Sequence, residues 1–301
     1  MTILELIDAG AEQLLTAGVA FGHGTNNAFD EAAWLVLWQC GLPLDSALQG
    51  EGCVGAQPVT AQQQDAVAAL LQTRIRSRQP AAYLTREAWL QGVPFYIDAR
   101  AIVPRSFIAE LLVGGELDYW LPEGSQRVLD LCTGGGSLAV LAAMAWPDVG
   151  VDAADISADA LAVAKINLQR HQLTGRVSLL HGDALACAPG PYDLILCNPP
   201  YVNSASMAAL PLEYRAEPAL ALAGGTDGMD VVRRLLRDAN SHLSAQASLV
   251  LEIGNERGNF ESAFPALKAV WLDTSAGGDQ VCVLTRAALA AHAHGSTTPN
   301  L

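Results

Sequence analysis

Basic charge is scarce in this chain: its 301 residues carry 17 Lys and Arg against 31 Asp and Glu, a net charge of -14. Proteins that grip duplex phosphates use clustered Lys and Arg, and here those residues are scattered. Free DNA or RNA is therefore not the expected partner. A basic protein, steered in electrostatically, is, although an acidic surface also serves plain solubility. Long apolar runs are missing too. The hydrophobic stretches are broken by Asp, Gly, Gln or Arg before the roughly 20 residues that a membrane span requires. Residues 1–22 contain Glu5, Asp8 and Glu12 and no basic residue, unlike a secretory leader with its basic start and unbroken apolar centre. The expected location is the cytoplasm. Paired cysteines are the third absence. Cys40, Cys53, Cys132, Cys187, Cys197 and Cys282 form no Cys-x-x-Cys pair, so reduced thiols are expected rather than disulfides or zinc. No His, Cys and carboxylate cluster has ligand spacing, and no metal is expected.

What is present divides in two. Residues 1–80 read as a small helical domain. Ile3, Leu6, Ile7, Ala11, Leu14 and Leu15 recur at helical spacing behind a Thr2 cap. Phe29–Cys40 is a second helix, closed by Gly41 and Pro43, and Thr60–Ser77 a third, stopped by Pro80. Residues 81–104 change period: Trp89, Phe95, Tyr96 and Ile97 are β-rich, and Gly92-Val93-Pro94 interrupts them, which reads as a linking hairpin. Residues 105–286 alternate strand and helix. The predicted strands are Val128–Cys132, Val149–Asp155, Val177–His181, Asp193–Cys197, Ser248–Ile253 and Val281–Thr285; the predicted helices are Leu138–Trp146, Ala158–His171 and Asp227–Leu243. That rhythm specifies an α/β, doubly wound, mostly parallel sheet. Residues 287–301 read as a frayed tail.

The first predicted strand of the sheet runs into Asp130-Leu131-Cys132-Thr133-Gly134-Gly135-Gly136 and then a helix. Glycines there allow a tight turn and a close backbone approach to a ligand. Cys132 breaks the Gly-x-Gly-x-x-Gly register, and the Lys-Ser/Thr of a P-loop is missing, so phosphate binding is not favoured. Asp155 ends the second strand, where a carboxylate can accept ribose hydroxyls, and Asp183 ends the third, where one can accept from an adenine amino group. Any one of these is commonly only a helix cap. Together they outline a nucleoside pocket at the switch point of the sheet.

The fourth strand runs into Asn198-Pro199-Pro200-Tyr201. Consecutive prolines fix φ and carry no N–H, so their carbonyls are free to accept from something else. Asn198 adds a side-chain carbonyl and Tyr201 a flat face. Acceptors beside an aromatic surface suit a planar group bearing an NH2. An amide nitrogen is a poor nucleophile, and two acceptors gripping its hydrogens favour the sp³-like geometry of a methyl-transfer transition state. An isolated Pro-Pro is otherwise a rigid loop.

Asp-x-x-x-Gly-x-Gly, the acidic strand ends and Asn-Pro-Pro-Tyr together resemble a class I S-adenosylmethionine methyltransferase acting on nitrogen. Asn-Pro-Pro-Tyr occurs both in DNA adenine N6 and in protein glutamine N5 methyltransferases. The chain resembles the glutamine family over nearly its whole length, in Ala82-Tyr83-Leu84, Phe95-Tyr96-Ile97-Asp98, Val103-Pro104-Arg105-Ser106, Leu212-Glu213-Tyr214, Glu217-Pro218-Ala219-Leu220-Ala221-Leu222, Gly224-Gly225-Thr226-Asp227-Gly228 and Glu252-Ile253-Gly254. Phe21-Gly22-His23-Gly24-Thr25 with Asn27, Cys132 and the run from Pro104 to Glu110 resemble its ribosomal-protein branch, which methylates large-subunit protein three; Phe107 replaces the usual Pro, and Gly135 a common Ser.

The resemblance implies S-adenosylmethionine as cofactor, lined by Asp130, Cys132, Thr133, Gly134, Gly136, Asp155, Asp183 and Asn198. It implies that Asn198 and Pro199 grip the substrate amide, with Pro200 and Tyr201 flanking, and that the helical part recognises the protein substrate. Glu217, Glu252 and Arg105 would order the surrounding loops or simply hydrogen-bond within the fold. His23, His171 and His181 read as structural or surface residues. The open alternatives are the same chemistry on the Gly-Gly-Gln of a release factor, DNA adenine methylation, and a ribosome-assembly factor.

Overall fold

The computed structural model describes residues 1–295. The helical part begins with α1 (Ile3–Thr16), started by a capping box in which the Thr2 side chain accepts from the Glu5 backbone and Glu5 accepts from the Thr2 backbone. α2 (Ala28–Gln39) is capped by Asn27. α3 (Ala61–Ser77) carries a second capping box, between Thr60 and Gln63. A short α4 (Ala81–Thr85) follows Pro80. β1 (Glu87–Leu90) and β2 (Val93–Tyr96) form the antiparallel hairpin, with Leu90 opposite Val93. α5 (Ile108–Gly114), which the sequence reading did not predict, precedes the sheet.

The main sheet contains β3 (Arg127–Leu131), β4 (Gly150–Asp155), β5 (Val177–His181), β6 (Tyr192–Cys197), β7 (Leu243–Glu252), β8 (Val270–Thr274) and β9 (Gly277–Thr285). Its order is β5-β4-β3-β6-β7-β9-β8. Strands β5 through β7 are parallel, while β7–β9 and β8–β9 are antiparallel. Between the strands run α6 (Ser137–Ala145), α7 (Ala158–Arg170), α8 (Ser204–Ala209), α9 (Asp230–His242) and α10 (Arg257–Ala263). The chain winds outward from β3 in both directions, so the crevice at the carboxyl ends of β3 and β6 is the switch point where open α/β sheets take ligands.

Residues 287–295 depart from the expected tail. With Arg286 they form α11 (Arg286–Gly295), whose Leu289 is buried in the cluster that covers one face of β7. The alanines at 287, 288, 290 and 291 favour a helix, and Leu289 gives it an apolar side to bury. Residues 296–301 of that predicted tail lie outside the described residues. β7 begins at Leu243, five residues earlier than predicted, and α9 begins only at Asp230, because Gly228 takes a positive φ and Asp227 accepts from the Met229 backbone.

The N-terminal helices pack against the hairpin segment and α7. Ile7, Leu14, Leu35 and Leu71 pack in one cluster with Ile97, Val103, Ala160 and Val163, the last two from α7. A buried Arg74, the first Lys or Arg in the chain, donates to Glu31 at 2.8 Å. Apart from the buried Glu31, the acids before it, Glu5, Asp8, Glu12, Asp30, Asp45, Glu51 and Asp65, are exposed. No helix among the described residues is long and apolar enough to cross a membrane.

Candidate active site

A cavity of about 400 Å³ opens at the switch point. It is lined by Asp130, Cys132, Thr133, Gly134, Asp155, Asp183, Asn198, Pro199, Pro200 and Tyr201 together. Gly136 is not part of the lining. A Cβ on it would lie 3.0 Å from that of Ala164, and its φ is +80°, so its smallness serves the packing of α6 on α7.

On the β3 side, Asp130 is 1% exposed. Its Oδ2 accepts from the Thr133 hydroxyl at 2.5 Å and the Ala139 backbone at 2.9 Å. Oδ1 is buried, with no hydrogen-bond partner among the described residues. Burial pushes Asp130 up to about 7, against those two hydrogen bonds. An unsatisfied buried acceptor is costly and suits a ligand donor, above all a cationic one. Cys132 takes a φ of +60°, a conformation that favours glycine and strains other residues.

Asp155 orders the next corner. Its Oδ2 accepts from the Gly134 backbone and its Oδ1 from the Ser157 backbone, both at 2.8 Å, leaving each oxygen one further lone pair for a ligand hydroxyl. Burial raises its pKa against these bonds. Asp183 is exposed and meets Arg234 Nη1 at 3.0 and 3.2 Å. Arg234, which no local sequence signal marks, reaches the cavity from α9. Asn167 on α7, equally unmarked, donates to the Gly135 carbonyl at 2.8 Å and accepts from the Tyr96 backbone at 2.7 Å, tying the glycine loop to the hairpin.

At the end of β6, neither the Asn198 side chain nor the Pro199 carbonyl accepts a hydrogen bond from any described residue. Beside them Tyr201 directs its hydroxyl to Glu252 Oε1 at 3.5 Å. Glu252 is fully buried; burial pushes it up to about 7, and its Oε2 accepts from Ser106 at 2.5 Å. Three glycines make room for Tyr201: a Cβ on Gly224, Gly228 or Gly254 would lie 2.7 Å or less from its atoms. The blocks containing them have this steric reason.

Arg105 joins the segment before the sheet to the loop after Tyr201. Its guanidinium grips both oxygens of Glu217 at 2.7 and 2.6 Å, and Glu217 also accepts from the Val103 backbone at 3.0 Å. His23 Nε2 stands 3.4 Å from Glu217 Oε2. Burial alone would raise Glu217; His23 and Arg105 hold it down to about 2. His171 and His181 meet the Pro94 and Ile156 carbonyls, and the His171 ring also packs against Phe95 at 5.5 Å, which are structural roles.

The methyltransferase small domain family matches residues 117–214. The ribosomal protein uL3 glutamine methyltransferase of Burkholderia pseudomallei is 51% identical, with 94% of each chain covered. That of Bordetella pertussis is 52% identical, with 95% of each chain covered. Among solved structures, the hMettl16 catalytic domain shares the fold at a TM-score of 0.50 and 13% identity, covering 75% of this chain and 81% of that one. The sheet order, the cavity at its switch point and identities above half over nearly the whole length agree: this chain is a methyltransferase and belongs to the ribosomal protein uL3 glutamine methyltransferase family.

Proposed function

We infer that this enzyme transfers a methyl group to the side-chain amide nitrogen of a glutamine in ribosomal protein uL3. The observation that carries the chemistry is the pair of free acceptors, Asn198 Oδ1 and the Pro199 carbonyl, lining the cavity beside Tyr201. S-adenosylmethionine supplies an electrophilic methyl carbon on a sulfonium. The residues present fit it: the orphaned Asp130 Oδ1 matches a cationic amino group, the spare lone pairs of Asp155 match the ribose hydroxyls, and Asp183 with Arg234 bounds the far end of the cavity.

Asn198 and Pro199 take the two amide hydrogens, draw the nitrogen out of conjugation and hold it in line. Pro200 fixes the loop, and Tyr201 supplies the flanking face. The N–H held by Asn198 becomes acidic as the new bond forms, so no strong base is needed beforehand. The helical residues 1–80 offer the protein-recognising side, reached through the hairpin and linker at 81–104, with the transferase unit in 105–286. The exposed carboxylates before Arg74 favour a basic protein over free nucleic acid. The free cysteines agree with a reducing cytoplasm.

The test is a side-by-side assay of labelled methyl transfer to purified uL3, a release factor and DNA. Label in uL3 that disappears with Asn198→Ala supports the reading. Label confined to the release factor or to DNA overturns the substrate.

A further inference from the structure

The cavity lining falls into two groups. Asp130, Asp155 and Asp183 lie at the ends of β3, β4 and β5, on one side of the switch point. On the other side, after β6, come Leu210, Tyr214, Pro218 and Leu220. Of these Tyr214 alone is aromatic, and the resemblance gave it no role.

Its position is fixed from three directions. The His23 ring lies 4.2 Å from its ring centroid, and the Arg105 guanidinium carbon sits 5.4 Å over its face. Behind its hydroxyl is Gly22, where a Cβ would lie 2.2 Å from the Tyr214 oxygen. The residues around it are anchored as well. Glu213 accepts from Arg78 at 3.2 Å and from Arg74 at 3.5 Å, both reaching from the helical layer. Glu217 is gripped by Arg105. Yet the Tyr214 hydroxyl makes no hydrogen bond among the described residues. The structure thus holds the ring in place from the sides of His23, Arg105 and Gly22, with its remaining surface lining the cavity beside Leu210, Pro218 and Leu220.

A glutamine presents two methylenes before its planar amide. With the amide held at Asn198 and Pro199, those methylenes need an apolar wall. We propose that Tyr214 is that wall, a specificity-determining contact for the glutamine side chain, and that Gly22 and His23 set its position, so that the N-terminal layer governs substrate capture from outside the transferase sheet. This rests on the reading of the enzyme as a uL3 glutamine methyltransferase.

Steady-state methyl transfer from S-adenosylmethionine to purified uL3 tests it, with cofactor affinity measured alongside. Tyr214→Ala should raise KM for uL3 about tenfold or more, the scale of a lost apolar contact in a pocket, with cofactor affinity unchanged; Tyr214→Phe should stay near the original KM. Gly22→Ala should raise KM by driving a methyl into the Tyr214 hydroxyl. Adding Tyr214→Phe to Gly22→Ala should recover the part of that loss due to the clash, because the nearest remaining ring carbon lies 3.3 Å away, while the backbone strain of a side chain at a φ of +123° stays. A purely structural role for Tyr214 would instead appear as lost thermal stability in Tyr214→Ala with the KM for uL3 unchanged. A KM within twofold in Tyr214→Ala, a defect confined to cofactor affinity, or no rescue in the double variant overturns the assignment. If the unaltered enzyme leaves uL3 unlabelled, the functional reading fails, and the assignment of Tyr214 with it.

Discussion

Gly254 and Tyr201 are so close that a Cβ at position 254 would lie 2.5 Å from the Tyr201 ring. Gly254 also takes a φ of +52°, so both space and backbone demand glycine. Gly254→Ala should cost about 1–3 kcal/mol from overpacking and reduce methyl transfer by displacing Tyr201. Thermal unfolding and turnover measured on the same variant check this. A fully active, equally stable variant would show that Tyr201 tolerates displacement.

Asn198→Ala removes one of the two free acceptors. Turnover should fall about 10²–10³-fold, by analogy with the loss of one transition-state hydrogen bond. Cofactor affinity should change far less. Labelled-methyl transfer combined with calorimetric binding separates the two quantities.

The Asp130 carboxyl, held up near 7 by burial, predicts opposite pH trends for two observables. Protonation is favoured in the folded chain, so this group's stabilising contribution is present below about 4 and is lost as pH rises through about 7. Binding a cationic cofactor amine requires the carboxylate. Cofactor affinity should therefore rise about fivefold between pH 6 and pH 7, following the ionised fraction of a group titrating near 7, and level off near pH 8 as the α-amine loses its proton. Asp130→Asn should flatten the profile. Calorimetry across that range decides it, and a flat profile in the unaltered chain would place the amine elsewhere.

Glu217 behaves in the reverse sense. Its folded pKa is held down to about 2, so its contribution is present above about 4.5 and disappears as pH falls toward 2. Glu217→Ala leaves Arg105 without its carboxylate and should cost about 3–5 kcal/mol, the range for a broken buried pair. Denaturant unfolding at pH 7 measures it.

Much of this arrangement was legible in the sequence because it is local. Strand ends, caps and Asn198-Pro199-Pro200-Tyr201 sit within a few residues of the signals that mark them, and Thr2 and Thr60 cap the helices they precede. Contacts that bridge distant segments were not legible. Arg234 meets Asp183 across 51 residues, and Arg105 meets Glu217 across 112; no periodicity encodes such a pairing. β8 escaped prediction because it is a short edge strand whose burial pattern lacks clear alternation. Gly136 shows a different failure. In the string it stands beside ligand-lining glycines, but its neighbour in space is Ala164. The composition of 287–295 argues for a helix, yet the Ser-Thr-Thr-Pro-Asn that follows drew the whole stretch into one predicted tail.

The cluster that joins Ile7, Leu14, Leu35 and Leu71 to Ala160 and Val163 bears on how this architecture can diversify. An exchangeable recognition module needs a seam where few apolar atoms cross. Here the seam is itself a core, and α7, whose Ser157 cap shares a hydrogen bond with Asp155, belongs to both sides. A chimera that imports a foreign helical layer must import a matching α7 surface with it, or leave voids beside the cofactor corner. New substrates are then reached more readily by repacking this layer in place, residue by residue, than by exchanging it whole.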